Sequence, residues 1–288
     1  MAMSDNARGA VLMNAAMLAF TLNDTCMKAV TETVPLFQSI FLRGILTTLA
    51  LLGFGLARKG LRLRLAGLDA RLIGLRTVAE ILATIAFLGA LTRMPLATLS
   101  AIMQSLPLAV TLAAALVFRD PIGWRRLLAI AVGFLGVLII IRPGTEGFDR
   151  WSMLGLASVC CVVVRDLATR KLSAAVPSAT VAIWAGAGVT ALGLAGLLRE
   201  GWQPLDGREA LLILGASANL IIGYLTAVMV MRVGDIGFIA PFRYMALFWA
   251  ILLGFAIFGT LPDHWTLVGT AIVVTTGLFT LWRERRSR

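Results

Sequence analysis

Arg76 and Glu80 stand four residues apart inside the apolar run LIGLRTVAEILATIAFLGAL, so on a helix they share one face and pair. An ionisable side chain at the centre of a membrane helix costs about 2.5–3.5 kcal/mol on insertion scales, so charges kept there face the protein interior or a wet cavity. Two chemistries are open to the pair. Glu80 can meet a solute ammonium or take up a proton, while Arg76 holds Glu80 ionised or meets a solute carboxylate. A self-neutralising pair that locks helices together accounts for the same two residues.

Other polar residues sit in equally apolar surroundings. Arg43 lies about eight residues inside the second apolar run, roughly 12 Å along a helix. From there its stem can snorkel to water, or its guanidinium can take Asp24 across a helix interface. Asp24 follows Asn23 near the end of the first run, with Lys28 one turn on, so a local Asp24–Lys28 pair is the alternative. Arg165 and Asp166 are adjacent in the sixth run, and the spacing predicts an outside partner for each. Pro241 falls inside a helical run just ahead of Arg243 and Tyr244, with Gly234 and Gly237 before it, and Pro107 falls in another run close to Gln104 and Ser105. Each proline removes a helix hydrogen bond, kinks the axis and frees a carbonyl.

Asn14, Gln104, Trp184, Asn219 and Tyr224 complete the set. The candidate cavity is therefore Asn14, Asp24, Arg43, Arg76, Glu80, Gln104, Trp184, Asn219, Tyr224, Arg243 and Tyr244, with Pro107 and Pro241 as helix kinks. Both signs of charge with some aromatic lining suit a zwitterion of modest size. A buried acid that carries a proton would make flux pH dependent. Arg76 opposes protonation of Glu80, so weak proton coupling is expected.

The elements that must position these groups are membrane helices. The 288 residues are 59% hydrophobic and 14% charged, with a mean hydropathy of +0.90, against about 25% charged residues in a soluble domain. Ten runs, at 10–30, 35–57, 71–92, 95–118, 124–141, 151–172, 178–198, 209–231, 235–258 and 265–282, are each long enough to span a bilayer. The longest connection, 58–70, reads as a basic interfacial turn. The start MAMSDNARGAVL has no signal-cleavage pattern, so the first run reads as a retained span.

The formal charge of +11 forms no stripe with interleaved aromatics, so nucleic acid is excluded as a partner and the charge is read as topology. Sixteen Lys and Arg fall on the side of both termini and six on the other, which predicts cytoplasmic N- and C-termini in a bacterial inner membrane. The three cysteines lie in apolar runs and His264 is the lone histidine, so neither a metal site nor a disulfide framework is expected. No phosphate loop is present, so no cofactor and no ATPase subunit are implied, and the chain is expected to work as a monomer in the bilayer. A membrane enzyme wants a histidine or a clustered acid pair near one face, and this pattern is lacking.

The chain also repeats. Asp24, Lys28 and Val34-Pro35 recur 142 positions later as Asp166, Arg170 and Val176-Pro177; Arg93 recurs as Arg232; and Trp124 and Gly136 match Trp265 and Gly277 in their spacing of twelve. These matches divide the chain into two five-helix repeats, 8–144 and 150–282, on either side of RPGTEGFDR. Five is odd, so the second must be inverted. Inverted repeats are a transporter architecture, with a midplane site and alternating access.

The stretch MPLATLSAIMQSLPLAVTLAAALVFRDPIGWRRLLAIAVGFLGVLIIIRPG, 94–144, resembles the end of a repeat in the EamA-type branch of the drug/metabolite transporter superfamily. It has a Pro-x-Ala helix start, a mid-span proline, a short loop with an acid (Asp120, where the family commonly has glutamate) and a Gly-x-x-Gly span. In the second half FGTLPDHW lacks an acid directly after the phenylalanine. The resemblance extends over residues 8–282 and implies an all-α polytopic protein of ten transmembrane helices in two inverted five-helix repeats. Within the branch the chain is most similar to amino-acid exporters of the YddG type. That implies a central cavity between spans one, three, four, six, eight and nine and export or facilitated movement of amino acids. Uptake of riboflavin or S-adenosylmethionine is the alternative the branch offers.

Overall fold

The computed structural model describes residues 4–57, 67–119, 122–145, 149–173, 175–230, 233 and 235–287. The basic residues at 58–64, Asp120, Arg232, Gly234 and the middle of the 142–150 connection lie outside the described residues. The described residues form α1 (Asp5–Val30), α2 (Leu36–Ala57), α3 (Gly67–Leu91), α4 (Leu96–Met103), α5 (Leu106–Phe118), α6 (Trp124–Ile141), α7 (Trp151–Arg170), α8 (Ser178–Glu200), α9 (Gly207–Val230), α10 (Ile236–Ile239), a 3-10 turn (Ala240–Tyr244), α11 (Met245–Phe258) and α12 (His264–Ser287). With α4 and α5 as one span and the segment through α11 as another, ten helical segments are long and apolar enough to cross a membrane. A lipid environment admits such helices because every backbone group bonds within its own segment.

Local sequence sets the ends. Ser4 accepts from the Ala7 amide at the start of α1. Pro35 and Pro177, 142 residues apart, immediately precede α2 and α8 or the first residue of each, where a missing amide costs nothing. Gly259, at φ 63°, ends α11 in the left-handed region. The helix at α3 begins at Gly67, four residues before the apolar pattern does, because polar first-turn residues such as Asp69 extend it beyond the hydrocarbon.

Spans four and nine are broken. The fourth separates into α4 and α5 at Gln104–Ser105, and Pro107 lies in the first turn of α5 rather than at the break. The ninth passes through the 3-10 turn, with Pro241 in its first positions. Gln104 Nε2 donates to the Tyr244 carbonyl at 3.4 Å, so an amide from one break reaches a carbonyl freed by the other.

The packing is two-fold. α1 packs on α9 and α3 packs on α7, a pair of contacts that exchange when the first five spans are laid on the second five. α2 on α8, α6 on α12 and α4 on α11 map onto themselves. The axis passes between α2 and α8, where Thr48 Oγ1 lies 3.3 Å from Thr190 Oγ1, its counterpart 142 residues on. A Cβ on Gly44 would meet Thr190 Oγ1 at 2.6 Å, and a Cβ on Gly186 would meet Thr48 Oγ1 at 2.7 Å, again a pair 142 apart. The close approach needs glycine at both positions. Because each repeat has five spans, this two-fold relation inverts one against the other.

The end of the bundle away from the termini is closely packed. Met27, Val30, Leu91, Met94 and Ile141 are almost fully buried there. Lys28 Nζ donates to the carbonyls of Leu91 and Met94 at 2.8 and 2.7 Å, which closes the α3–α4 turn onto α1. Gln38 and the Gln203 backbone exchange two hydrogen bonds of 2.7 and 2.9 Å, and Arg142 pairs with Asp263 between the ends of spans five and ten.

Candidate functional site

Helical periodicity collects the polar residues. On α3 Arg76, Glu80 and Thr84 succeed one another every four residues, and on α7 Ser158, Val162 and Arg165 do so at four and three. Glu80 and Thr84 of the first stripe and all three residues of the second face a central cavity of about 370 Å3, bounded also by Phe20, Asn23 and Asp24 of α1, Arg43 of α2, Phe87 of α3, Ser100 of α4, Gln104, Tyr224 of α9 and Ala246 and Ala250 of α11. A second chamber of about 190 Å3 lies toward the terminal side between α2, α3, α8 and α9, with Thr48, Leu51, Arg76 and Ala182 in its wall. Arg43, Glu80, Thr84, Leu220 and Tyr224 border both. A polar cluster thus stands where the two chambers meet.

Within it Glu80 is held from two sides. Arg76 Nη2 lies 3.7 Å from Glu80 Oε2, and Arg165 Nη1 lies 3.4 Å from both carboxylate oxygens. Arg165 also turns its Nε and Nη2 to Asp166 Oδ1 at 2.9 Å. The adjacent pair therefore does bond internally, contrary to the expectation from helix faces. The long guanidinium arm curls back to its neighbour and still reaches α3. Arg76 Nε donates to Thr169 at 3.0 Å, while its buried Nη1 has no hydrogen-bond partner among the described residues.

A second group lies on α1 and α2. Arg43 Nη1 donates to Asn23 Oδ1 at 3.2 Å, and Asn23 Nδ2 donates to Asp24 Oδ1 at 2.8 Å, so the amide relays between guanidinium and carboxylate. Lys28 does not pair with Asp24, because the two carbonyls at the α3–α4 turn take its ammonium. The Tyr224 ring meets Phe20 edge to face at 5.7 Å, giving the cavity an aromatic wall.

Of the eleven residues predicted for the cavity, Asp24, Arg43, Arg76, Glu80, Gln104 and Tyr224 border one chamber or both. The others do not. Asn14 accepts from the Trp249 indole at 2.9 Å, and Asn219 bonds back to the Gly215 carbonyl of its own helix at 2.9 Å. The first joins two helices and the second is satisfied within its own. Trp184 and Arg243 are exposed, and Tyr244 is buried against Gly277 with its hydroxyl unpartnered among the described residues. The kink ahead of Arg243 turns its side chain outward, so proximity to Pro241 does not bring it to the cavity. Sequence reasoning omitted Phe20, Asn23, Thr84, Phe87, Ser158 and Arg165 from the lining. Thr84 was within reach, since the Arg76–Glu80 stripe continued by four arrives at it.

Outside the spans, Asp263 caps α12 through the Thr266 amide at 3.0 Å. Burial works against its ionised form, but the Thr266 hydrogen bonds and the Arg142 guanidinium outweigh it and hold the carboxyl below its ordinary range.

Residues 7–142 match the model of the EamA-like transporter family. The chain is 28% identical over 190 residues to a riboflavin transporter of Vibrio cholerae, a match covering 65% of this chain and 63% of that protein. It is 27% identical over 199 residues to an S-adenosylmethionine uptake transporter of Rickettsia felis, covering 68% of this chain and 67% of the other. The matches thus span about two thirds of the length of these relatives. A crystal structure superposes over 98% of this chain and 99% of its own, with a TM-score of 0.65 at 21% identity, a likeness of fold.

Proposed function

We propose that this chain, whose residues 7–142 match the EamA-like transporter family, is an EamA-type member of the drug/metabolite transporter superfamily and moves an amino-acid-bearing metabolite of the S-adenosylmethionine class across the bacterial inner membrane by alternating access. On that reading it is a membrane transporter and not an enzyme. The observation that carries the substrate class is the central cavity, in which Asp24, Glu80, Arg43 and Arg165 face Phe20, Phe87 and Tyr224 within about 370 Å3. That volume is at the lower end of small-molecule pockets. The carboxylate and ammonium of such a solute find arginine and acid partners, and its sulfonium and planar base find aromatic faces.

S-adenosylmethionine is an amino acid extended by an adenosyl group, so this reading keeps the mixed-charge logic that suggested amino acids while following the named relatives. Riboflavin carries neither ammonium nor carboxylate to meet the acids and guanidiniums that line the cavity, which ranks it lower. With the termini cytoplasmic, as the lysine and arginine distribution predicts, the packed far end and the terminal-side chamber correspond to a carrier closed outward.

Purified protein in proteoliposomes, offered labelled S-adenosylmethionine, riboflavin and free amino acids in parallel, tests the proposal. Saturable entry of the adenosyl compound, competed by its unlabelled form and weakened at least tenfold by Glu80→Gln, is expected. Equal or better flux of riboflavin or simple amino acids would overturn the substrate class.

A further inference from the structure

The two halves place an acid at the same point of their first helix. Asp24 on α1 and Asp166 on α7 are 142 residues apart, and in each half the preceding side chain donates to Oδ1, from Asn23 Nδ2 at 2.8 Å and from Arg165 Nε at 2.9 Å. The geometry is shared and the charge is not. Asp166 has its own guanidinium, whereas Asp24 has an amide and takes part in no ion pair among the described residues.

The charges around Asp24 are committed elsewhere. Arg43 of α2 reaches it only through Asn23, and Arg165 of α7 is divided between Glu80 and Asp166. Lys28, one turn along α1, is bound to two carbonyls. Glu80 of α3 and the Tyr224 phenol of α9 border the same cavity, while α4 and α11 bring only uncharged residues to it and Arg243 of the 3-10 turn is exposed. A carboxylate at membrane depth whose nearest guanidinium is held off by an intervening amide is the costly form, and a proton relieves that cost. One already bonded to a guanidinium has no such need.

We propose that Asp24 is the proton-coupling site of this carrier: it binds a proton from water on one side of the membrane and releases it to water on the other, a role that Asp166 and Glu80, each bonded to a guanidinium, do not share. The proposal rests on the transport reading above. It also locates coupling away from Glu80, where the Arg76 neighbour made the sequence point to weak coupling.

Infrared difference spectra of the purified protein across a pH step test the site without any substrate. A protonated-carboxyl stretch is expected in the parent, absent in Asp24→Asn, and retained in Asp166→Asn and Asp24→Glu. Persistence of the band in Asp24→Asn would overturn the proposal. In vesicles with the membrane potential clamped at zero, one proton per solute and one pH unit support about tenfold accumulation of labelled S-adenosylmethionine. Asp24→Asn should bring label to equilibrium across the membrane without accumulating it, and Asp24→Glu should recover accumulation. Tenfold accumulation by Asp24→Asn would refute coupling through this residue. If the parent moves none of the solutes offered, the transport reading fails, and the infrared band still decides the proton site.

Discussion

Removing the Arg165 guanidinium alone should destabilise the fold about as much as removing it together with the Glu80 charge. At 3.4 Å and an effective dielectric of 20, the Coulomb attraction between the two is about 5 kcal/mol before desolvation is subtracted. Truncating one partner of a buried pair costs about 3–5 kcal/mol, because the survivor keeps its charge without its counterion. Arg76 remains 3.7 Å from Glu80, so Arg165→Ala belongs at the low end, about 3 kcal/mol. Glu80→Gln frees one face of Arg165, which keeps Asp166, and should cost about 2 kcal/mol, as for a hydrogen bond to a charged group. The double variant leaves no orphaned glutamate and should cost about 3 kcal/mol, a coupling of about 2 kcal/mol within the range for contacting residues. Denaturant titration of the four proteins in one detergent measures the cycle. Additive single effects would show that Arg165 and Glu80 do not share an electrostatic unit, and the account of the cluster would fall.

Gly186→Val should cost about 1–3 kcal/mol by forcing a methyl into Thr48, and pairing it with Thr48→Ala should return part of the loss in the same titration. Lys28→Met removes two hydrogen bonds from an ammonium at the α3–α4 turn. It should open the far end, read as faster labelling of a cysteine placed at Thr84 by an impermeant thiol reagent in a background lacking the native cysteines; unchanged labelling would count against closure by Lys28. The Asp263 carboxyl is held low in the folded protein, so its contribution is full above the ordinary carboxylate range and is lost as pH falls through the lowered value. Thermal scans should show an acid-side loss below about pH 4 that Asp263→Asn lacks, small because the side chain is 44% exposed.

The spans were legible because hydrophobic length is a one-dimensional property, and so was the two-fold relation, since Asp24 and Asp166 keep their spacing in the chain. Where the apolar pattern carried the prediction, as for Arg76 with Glu80, periodicity sufficed. It failed where side-chain reach decides the partner. Arg165 bends back to Asp166, Lys28 finds carbonyls at the α3–α4 turn, and Asn14 meets an indole on span nine, none of which a helical wheel contains. The breaks in spans four and nine were announced by Pro107 and Pro241, yet proline marks the first turn after a break more readily than the break itself. Arg243 shows the cost of that offset, since a displacement of a few residues through a 3-10 turn rotates a side chain to another face.

The threonine pair at the α2–α8 crossing has a consequence for motion. When two inverted halves exchange their conformations, contacts off the symmetry axis must be traded for their mirror partners, but one that joins a residue to its own counterpart is carried into itself. Thr48 and Thr190, with a glycine one turn before each, can therefore stay touching throughout the cycle. In an alternating-access cycle they would supply a fulcrum about which the flanking helix pairs swing, which would set the barrier to switching at the periphery of the bundle and not at its middle.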